Sequence, residues 1–245
     1  MATVVLFVLG SVFGSFLNVV ALRWDSKNFG GRSHCPSCGK TLKWWELVPI
    51  VSFIMLKARC STCRTKISGQ YPAVEILTGL VFATVPYIFL PVFCIYIAIF
   101  IYDWHHKIIP DELVYVSIVL AFLISYFLPL APFSLLDWLS GPILFFFFGS
   151  IWFLSRGRAM GFGDAKLGLS IGLLLGAKDG FSAIILAFWI GAFVSLSYIF
   201  LNKTGFLKGD KEITMKSEVP FAPFMIFGAW ISLMFNLDLL HVALL

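Results

Sequence analysis

Long apolar runs follow one another along almost the whole chain of 245 residues, with polar segments between them. An ideal membrane-spanning helix needs about 20 apolar residues, and several of these runs are shorter, so that two of them could form one broken helix. We predict an all-α polytopic membrane protein with about eight transmembrane helices, or roughly seven to nine if runs merge or divide. The runs lie at residues 3–22, 72–87, 91–102, 113–128, 141–154, 165–177, 181–201 and 221–240.

The composition excludes a soluble domain, because 60% of the residues are hydrophobic and 13% are charged. A soluble domain carries roughly a quarter charged residues. The same composition excludes disorder and a secreted disulfide scaffold. The first run has no basic segment before it and no small-residue cleavage site after it, and we therefore expect a retained helix rather than a cleaved signal.

Basic residues give the chain a formal charge of +5, and nine of its 18 Lys and Arg lie between Arg23 and Lys66. Basic loops of a membrane protein stay on the cytoplasmic side. With eight spans and the amino terminus outside, sixteen of the 18 fall in inner loops, and we predict both termini outside. This topology accounts for the charge, so no nucleic-acid partner is expected. The inner loops are residues 23–71, 103–112, 155–164 and 202–220.

The first inner loop contains two cysteine pairs, Cys35-Pro-Ser-Cys38 and Cys60-Ser-Thr-Cys63. Two such pairs can place four thiolates at the corners of a tetrahedron, which is the geometry of a closed structural Zn²⁺ site. On a cytoplasmic loop, reducing conditions disfavour two disulfides. We predict structural zinc, with reduced or redox-active thiols as the alternative.

Two aspartates lie where apolar runs meet the inner side, and carboxylates at this depth are candidates for function. Asp103 follows the third run, and Asp164 stands at the start of the sixth, after Gly161 and Gly163. Two carboxylates a few ångströms apart do not both ionise easily, so the pair could act as base and acid on one water molecule. The two glycines would let a substrate backbone approach Asp164. The pattern is that of an aspartyl dyad.

Other interpretations stay open at this point. Asp164 could be a helix N-cap, Asp103 could lie in a surface loop, or both could line a proton pathway. For the whole chain, the alternatives are a proton-coupled transporter with a zinc-stabilised loop and a non-catalytic scaffold whose zinc loop binds partners. A transporter of this kind often has an internal repeat, and the sequence contains no convincing one.

Six motifs in this order resemble those of the bacterial type IV prepilin peptidases, a family of GxGD membrane aspartyl proteases, and the resemblance covers nearly the whole chain. They are Gly14-Ser-Phe-Leu-Asn-Val19 with Arg23, the two cysteine pairs, Tyr71-Pro-Ala-Val-Glu75, the segment from Asp103 to Asp111, Gly161-Phe-Gly-Asp164, and Pro220-Phe-Ala-Pro223.

The resemblance implies that Asp103 and Asp164 are the catalytic pair, with water as the nucleophile. It implies a multi-pass protein of the bacterial inner membrane, in contact with the lipid bilayer, with its active site on the cytoplasmic side. The implied substrates are prepilins and pseudopilins of type IV pili or type II secretion, whose basic leader is cut off after a glycine. Residues implied to support the site are Gly161, Gly163, Lys166, Pro220 and Pro223.

Many family members also methylate the new amino terminus with S-adenosylmethionine, and the resemblance implies this activity for residues 1–71, the first helix and the cysteine loop. Residues 72–245 would form the peptidase domain. One position departs from the family pattern, because Ala58 stands where the family usually has glycine. Residues associated by resemblance with methyl transfer are Asn18, Arg23, Arg59 and Glu75.

Overall fold

A computed structural model describes residues 1–27, 29–128, 134–203 and 220–240. The described residues form helices and no strand, apart from two isolated bridges in the cysteine loop. The all-α prediction is thereby confirmed. The α-helices are α1 (Ala2–Leu22), α2 (Val51–Met55), α3 (Gln70–Thr84), α4 (Leu90–His106), α5 (Asp111–Phe127), α6 (Leu135–Ser155), α7 (Phe162–Lys203) and α8 (Ala222–Phe235).

Four stretches of the described chain are long and apolar enough to cross a membrane, by length and composition. The shorter helix α8 is apolar as well. These helices confirm an integral membrane protein, whereas the number of about eight spans stays a prediction. The four stretches are Ala2–Leu22, Tyr87–His106, Leu135–Ser155 and Phe162–Leu201.

The chain divides into two compact units, Met1–Ile101 and Tyr102–Leu245. In the first unit, α1 and α3 are antiparallel and lie very close together. A Cβ at Gly10 would be 2.6 Å from the Thr78 carbonyl oxygen, and a Cβ at Gly14 would be 3.0 Å from the Cα of Glu75. Because the helices are antiparallel, the cysteine loop leaves α1 and returns to α3 at the same end of the pair.

Helix α7 in the second unit combines the two predicted runs 165–177 and 181–201, and it is broken at Gly176 (φ 74°, ψ −171°). Three backbone groups next to the break have partners on neighbouring helices. Ser125 of α5 and Ser140 of α6 donate to the carbonyls of Leu173 and Gly172, at 2.6 and 2.9 Å. The Ala177 N–H donates to Asp137 Oδ1 at 2.9 Å. These three backbone groups at the break thus have partners within the protein and do not depend on water.

The end of α4 differs from the sequence expectation. The third apolar run stops at residue 102, and Asp103 was expected where that span leaves the membrane. The helix continues to His106, so Asp103 lies within it and is buried. The turn that follows begins with Lys107 at φ 57° and leads through Pro110 into α5.

Candidate active site and metal centre

Asp103 lies in the last turns of α4 with 4% of its surface exposed. Its carboxylate accepts a hydrogen bond from the backbone N–H of Ala222, the first residue of α8. The other oxygen, Oδ2, is buried and has no hydrogen-bond partner within the described residues. A buried carboxylate oxygen of this kind is available to a water molecule or a substrate. The interpretation of Asp103 as a surface-loop residue is wrong.

Asp164 lies in the first turn of α7 with 7% of its surface exposed. Its carboxylate accepts a hydrogen bond from the backbone N–H of Gly161, whose carbonyl in turn accepts the Asp164 N–H at 3.2 Å. Helix α7 begins at Phe162, so Asp164 is inside the helix and the N-cap interpretation is wrong. Asp164 is also close enough to Asp103 for the two carboxylates to interact electrostatically.

The second unit therefore brings together a buried carboxylate pair at the end of α4 and the start of α7, beside the start of α8. Two carboxylates in such a place share a proton more easily than they carry two charges. The ionised member can then accept a proton from water while the protonated member donates one. This is the chemistry that hydrolysis of a peptide bond requires.

Lys166 is placed one half-turn beyond Asp164 and connects α7 to α5. Its Nζ lies 2.6 Å from Asp111 Oδ1, and it sits over the rings of Tyr115 and Phe162 at 4.9 and 5.2 Å. The side chain of Asp111 is 61% exposed, so the ion pair by itself contributes little stability. Stacking against two rings adds to it and fixes the ammonium group. Sequence reasoning placed Lys166 near the site but missed these partners.

Pro220 and Pro223 flank the segment that enters α8. Pro223 is buried at the second position of that helix, where a proline costs no intrahelical hydrogen bond. The residue between them that contacts the carboxylate pair is Ala222, through its backbone N–H. No side-chain chemistry marks Ala222 in the sequence, and the signal available was its place in the Pro-Phe-Ala-Pro motif.

Gly161 and Gly163 differ in what surrounds them, and this gives a prediction. A Cβ at position 163 would lie 2.8 Å from the Cβ of Ile109, whereas at position 161 the nearest atom is Asp164 Oδ2 at 3.6 Å. Gly163→Ala must displace the start of α7, which costs about 1–3 kcal/mol. We expect Gly163→Ala to lower both the unfolding temperature and the cleavage rate, and Gly161→Ala to keep the unfolding temperature.

Steady-state kinetics of the two glycine variants separate packing from substrate contact. If the substrate backbone passes close to position 161, Gly161→Ala raises KM without changing stability. Equal loss of stability in the two variants would contradict this difference between the glycines.

The first unit holds the four-cysteine cluster. The four Sγ atoms lie within 4.8 Å of one another, with those of Cys35 and Cys63 at 3.8 Å. Both pairs fold alike: the N–H of Cys35 bonds the Lys40 carbonyl and that of Cys60 bonds the Thr65 carbonyl, each at 2.9 Å. Four thiol groups that converge on one point fit a metal ion held by thiolates.

Glu46 is a residue that sequence reasoning missed. It is buried between the two cysteine pairs and accepts hydrogen bonds from Lys40 Nζ at 2.8 Å and from Ser61 Oγ at 2.6 Å. The Lys40 ammonium, followed by the Lys43 N–H and the Ser61 hydroxyl, lowers the pKa of Glu46 to about 2. Glu46 is thus ionised at neutral pH and links the segments that carry the two pairs. An isolated acid in a strongly basic loop was the only sequence signal.

The residues associated with methyl transfer lie in two places within the first unit. The Glu75 carboxylate accepts the Ile50 N–H at 2.7 Å and a hydrogen bond from Ser15. Asn18 is fully buried on α1, and its Oδ1 has no partner in the part of the chain that is described. In the second place, after the end of α1, the Arg23 side chain donates a hydrogen bond to the Gly30 carbonyl at 2.9 Å. Arg59 follows Ala58 at the start of the second cysteine pair.

Fold and site together define an integral membrane protein with a buried pair of aspartates and with a thiol cluster that can hold a metal. The family model described as the type IV leader peptidase family matches residues 88–196. The model of the bacterial peptidase A24 N-terminal domain matches residues 8–89. Together the two models cover residues 8–196, and over this range the chain is similar to the type IV leader peptidase family. These matches support an enzyme and give no support to a transporter.

Several relatives share the printed name prepilin leader peptidase/N-methyltransferase. The one from Myxococcus xanthus is 34% identical over 70% of this chain and 46% of its own length. The one from Bacillus subtilis is 28% identical, over 95% of this chain and 94% of its own. The one from Pseudomonas putida is 27% identical, over 94% of this chain and 89% of its own length. No solved structure gives a significant match.

Proposed function

We propose that this chain is a membrane aspartyl endopeptidase that removes the basic leader of type IV prepilins and pseudopilins and then methylates the new amino terminus. The observation that carries the proposal is the buried pair of Asp103 and Asp164 in a chain that is similar to the type IV leader peptidase family. The names of the relatives support prepilins as the substrates and the two activities together.

In the proposed mechanism, the ionised member of the pair takes a proton from a water molecule that attacks the carbonyl carbon of the leader glycine. The protonated member donates its proton to the carbonyl oxygen, and the amine leaves with a proton returned from the pair. The backbone N–H groups of Ala222 and Gly161 each hold one carboxylate in position. Gly163 allows α7 to approach the Ile109 segment that follows α4.

The proposed sidedness puts the carboxylate pair and the cysteine loop at the cytoplasmic face of a bacterial inner membrane, with both termini outside. The basic charge of the first loop supports this orientation. Most of the last predicted inner loop, residues 204–219, lies outside the described residues. The predicted domain boundary between residues 71 and 72 stays a prediction.

For the metal, we propose Zn²⁺ bound by Cys35, Cys38, Cys60 and Cys63. Four thiolates and no fifth ligand make a closed site, which organises the loop and does not take part in the reaction. For methyl transfer, S-adenosylmethionine would supply an electrophilic methyl group. The buried acceptors of Asn18 and Glu75 suit the amino and hydroxyl groups of such a ligand, and Arg23 and Arg59 suit its carboxylate.

The alanine at position 58, where the family usually has glycine, leads to a prediction about the stability of the cysteine loop. Ala58 has φ 56°, in the left-handed region that glycine adopts without steric cost. We expect Ala58→Gly to stabilise the loop by about 0.5–1 kcal/mol and to tighten Zn²⁺ binding accordingly in a chelator competition. The matched control, Ala73→Gly within helix α3, should destabilise by about 1 kcal/mol. Weaker metal binding by Ala58→Gly would contradict the prediction.

Cleavage of a precursor by the detergent-purified protein tests the proposed function. The precursor has a basic leader that ends in glycine, followed by a hydrophobic helix that begins with phenylalanine. Mass spectrometry with S-adenosylmethionine present is expected to show a product without its leader and heavier by ~14 Da, the mass of one CH₂ group. A folded protein that leaves several such precursors intact would refute the peptidase.

A further inference from the structure

A cavity of about 270 Å³ opens between the second half of α7 and the start of α8. Its volume is near the lower limit for ligand sites, so it suits one side chain better than a cofactor. All but one of the residues around it are apolar. The lining residues are Phe188, Gly191, Ala192, Ser195, Phe221 and Phe224.

One residue that lines the cavity is next in sequence to a residue that contacts the carboxylate pair. Phe221 lines the cavity, and the next residue, Ala222, donates its backbone N–H to Asp103. Both lie at the start of α8, so one wall of the cavity and a hydrogen-bond donor to Asp103 are consecutive residues. An apolar site at this position is placed to contact whatever residue adjoins the bond that the pair hydrolyses.

The walls of the cavity favour an aromatic or large aliphatic side chain. The rings of Phe188 and Phe221 are 5.1 Å apart and those of Phe221 and Phe224 are 6.5 Å apart, which are spacings of interacting aromatic pairs. Gly191 keeps the space open, because a Cβ there would already approach the Phe224 ring to 3.3 Å. Phe188 and Ala192 are exposed on a helix apolar enough to span a membrane, so the cavity opens toward lipid.

We propose that this cavity binds the apolar side chain of the residue that follows the scissile bond. The inference rests on the proposed peptidase function and goes beyond it by assigning a specificity site. A basic leader does not suit an aromatic cavity, and the glycine that ends it has no side chain. The first residue of the hydrophobic helix has an apolar side chain, which suits the apolar walls of the cavity. This side chain can enter the cavity from lipid while the carbonyl group of the preceding glycine lies at the carboxylate pair.

The assignment is tested by changing the size of the cavity and, separately, the size of the precursor side chain that follows the leader glycine. Precursors with Phe, Leu or Ala after the leader glycine are cleaved by the wild type and by Ala192→Phe, which fills the cavity. We expect the wild type to prefer Phe over Ala by about tenfold or more in kcat/KM. Ala192→Phe should lose about tenfold on the Phe precursor while cleavage of the Ala precursor changes little.

Two further variants keep the result interpretable. Val194→Phe adds the same ring two residues along α7, at an exposed position that does not line the cavity, and should keep the wild-type preference. Phe188→Ala enlarges the cavity and should shift the preference toward a precursor with Trp after the glycine. Both measurements are ratios within one variant, so a general loss of folded enzyme does not produce them.

The outcomes separate the assignment from the proposed function. A wild type that cleaves every precursor at one rate, or an Ala192→Phe variant that loses all precursors equally, would overturn the cavity assignment and leave the peptidase intact. A folded wild type that cleaves none of them would refute the peptidase itself and the assignment with it.

Discussion

Asp103→Asn and Asp164→Asn should each reduce precursor cleavage by at least ~10³-fold, the size of effect seen when one member of a cooperating catalytic group is removed. Asparagine keeps the shape of aspartate but neither accepts nor donates the proton that the mechanism moves. Both positions are buried, with 4% and 7% of their surfaces exposed. A double variant should be no worse than either single one, because the two carboxylates act as a unit.

The control for the aspartate variants is Glu112→Gln, which neutralises an exposed acid on α5 close in sequence to Asp111. It should cleave at nearly the wild-type rate. Unfolding temperatures in detergent distinguish lost chemistry from lost structure, since a variant that has lost only chemistry unfolds at the wild-type temperature. If either asparagine variant retained cleavage within an order of magnitude of wild type, the carboxylate pair would not be the catalytic centre.

Removal of the metal should unfold the cysteine loop while the carboxylate pair keeps its activity. Binding of Zn²⁺ to small four-ligand sites contributes an apparent ~10–16 kcal/mol to folding. The segments that carry the two cysteine pairs are also linked by hydrogen bonds of Glu46 and Lys40, each of which contributes much less. Cys60→Ser or a strong chelator is therefore expected to abolish metal binding, expose the loop to protease, and stop methyl transfer.

Metal analysis and limited proteolysis measure this effect directly. Wild type should contain close to one Zn²⁺ per chain, and so should Cys94→Ala, since Cys94 lies on α4 and is not in the cluster. Precursor cleavage should persist in Cys60→Ser, because Asp103 and Asp164 belong to the other compact unit. Much less than one Zn²⁺ in the wild type, or full metal content in Cys60→Ser, would contradict the zinc assignment.

The features that could be predicted from the sequence depend on periodicity, spacing and the cost of charge in a membrane. The apolar runs predicted the helices, and the position of Asp103 and Asp164 at the same side of the membrane predicted that the two carboxylates lie close together. The contacts that hold the site could not be predicted, because they join residues far apart in the chain. Examples are the Ala222 N–H on Asp103 and the ion pair between Lys166 and Asp111. A backbone donor has no sequence signature.

Glu46 and the helix break show the same limit in the rest of the molecule. The position of Glu46 between the two cysteine pairs depends on how a polar loop folds around sulfur atoms, and no periodicity reports it. The gap between the runs at 165–177 and 181–201 indicated an interruption, but not that α5 and α6 would supply its hydrogen bonds.

The break at Gly176 also has a consequence for how the protein is assembled in the membrane. Two carbonyls and one N–H next to the break are bonded to Ser125, Ser140 and Asp137, which precede α7 in the chain. During synthesis the helices that carry these groups leave the ribosome before the broken one. The broken helix can therefore be inserted against partners that are already present, and these three backbone groups need not be left unpaired in hydrocarbon during insertion.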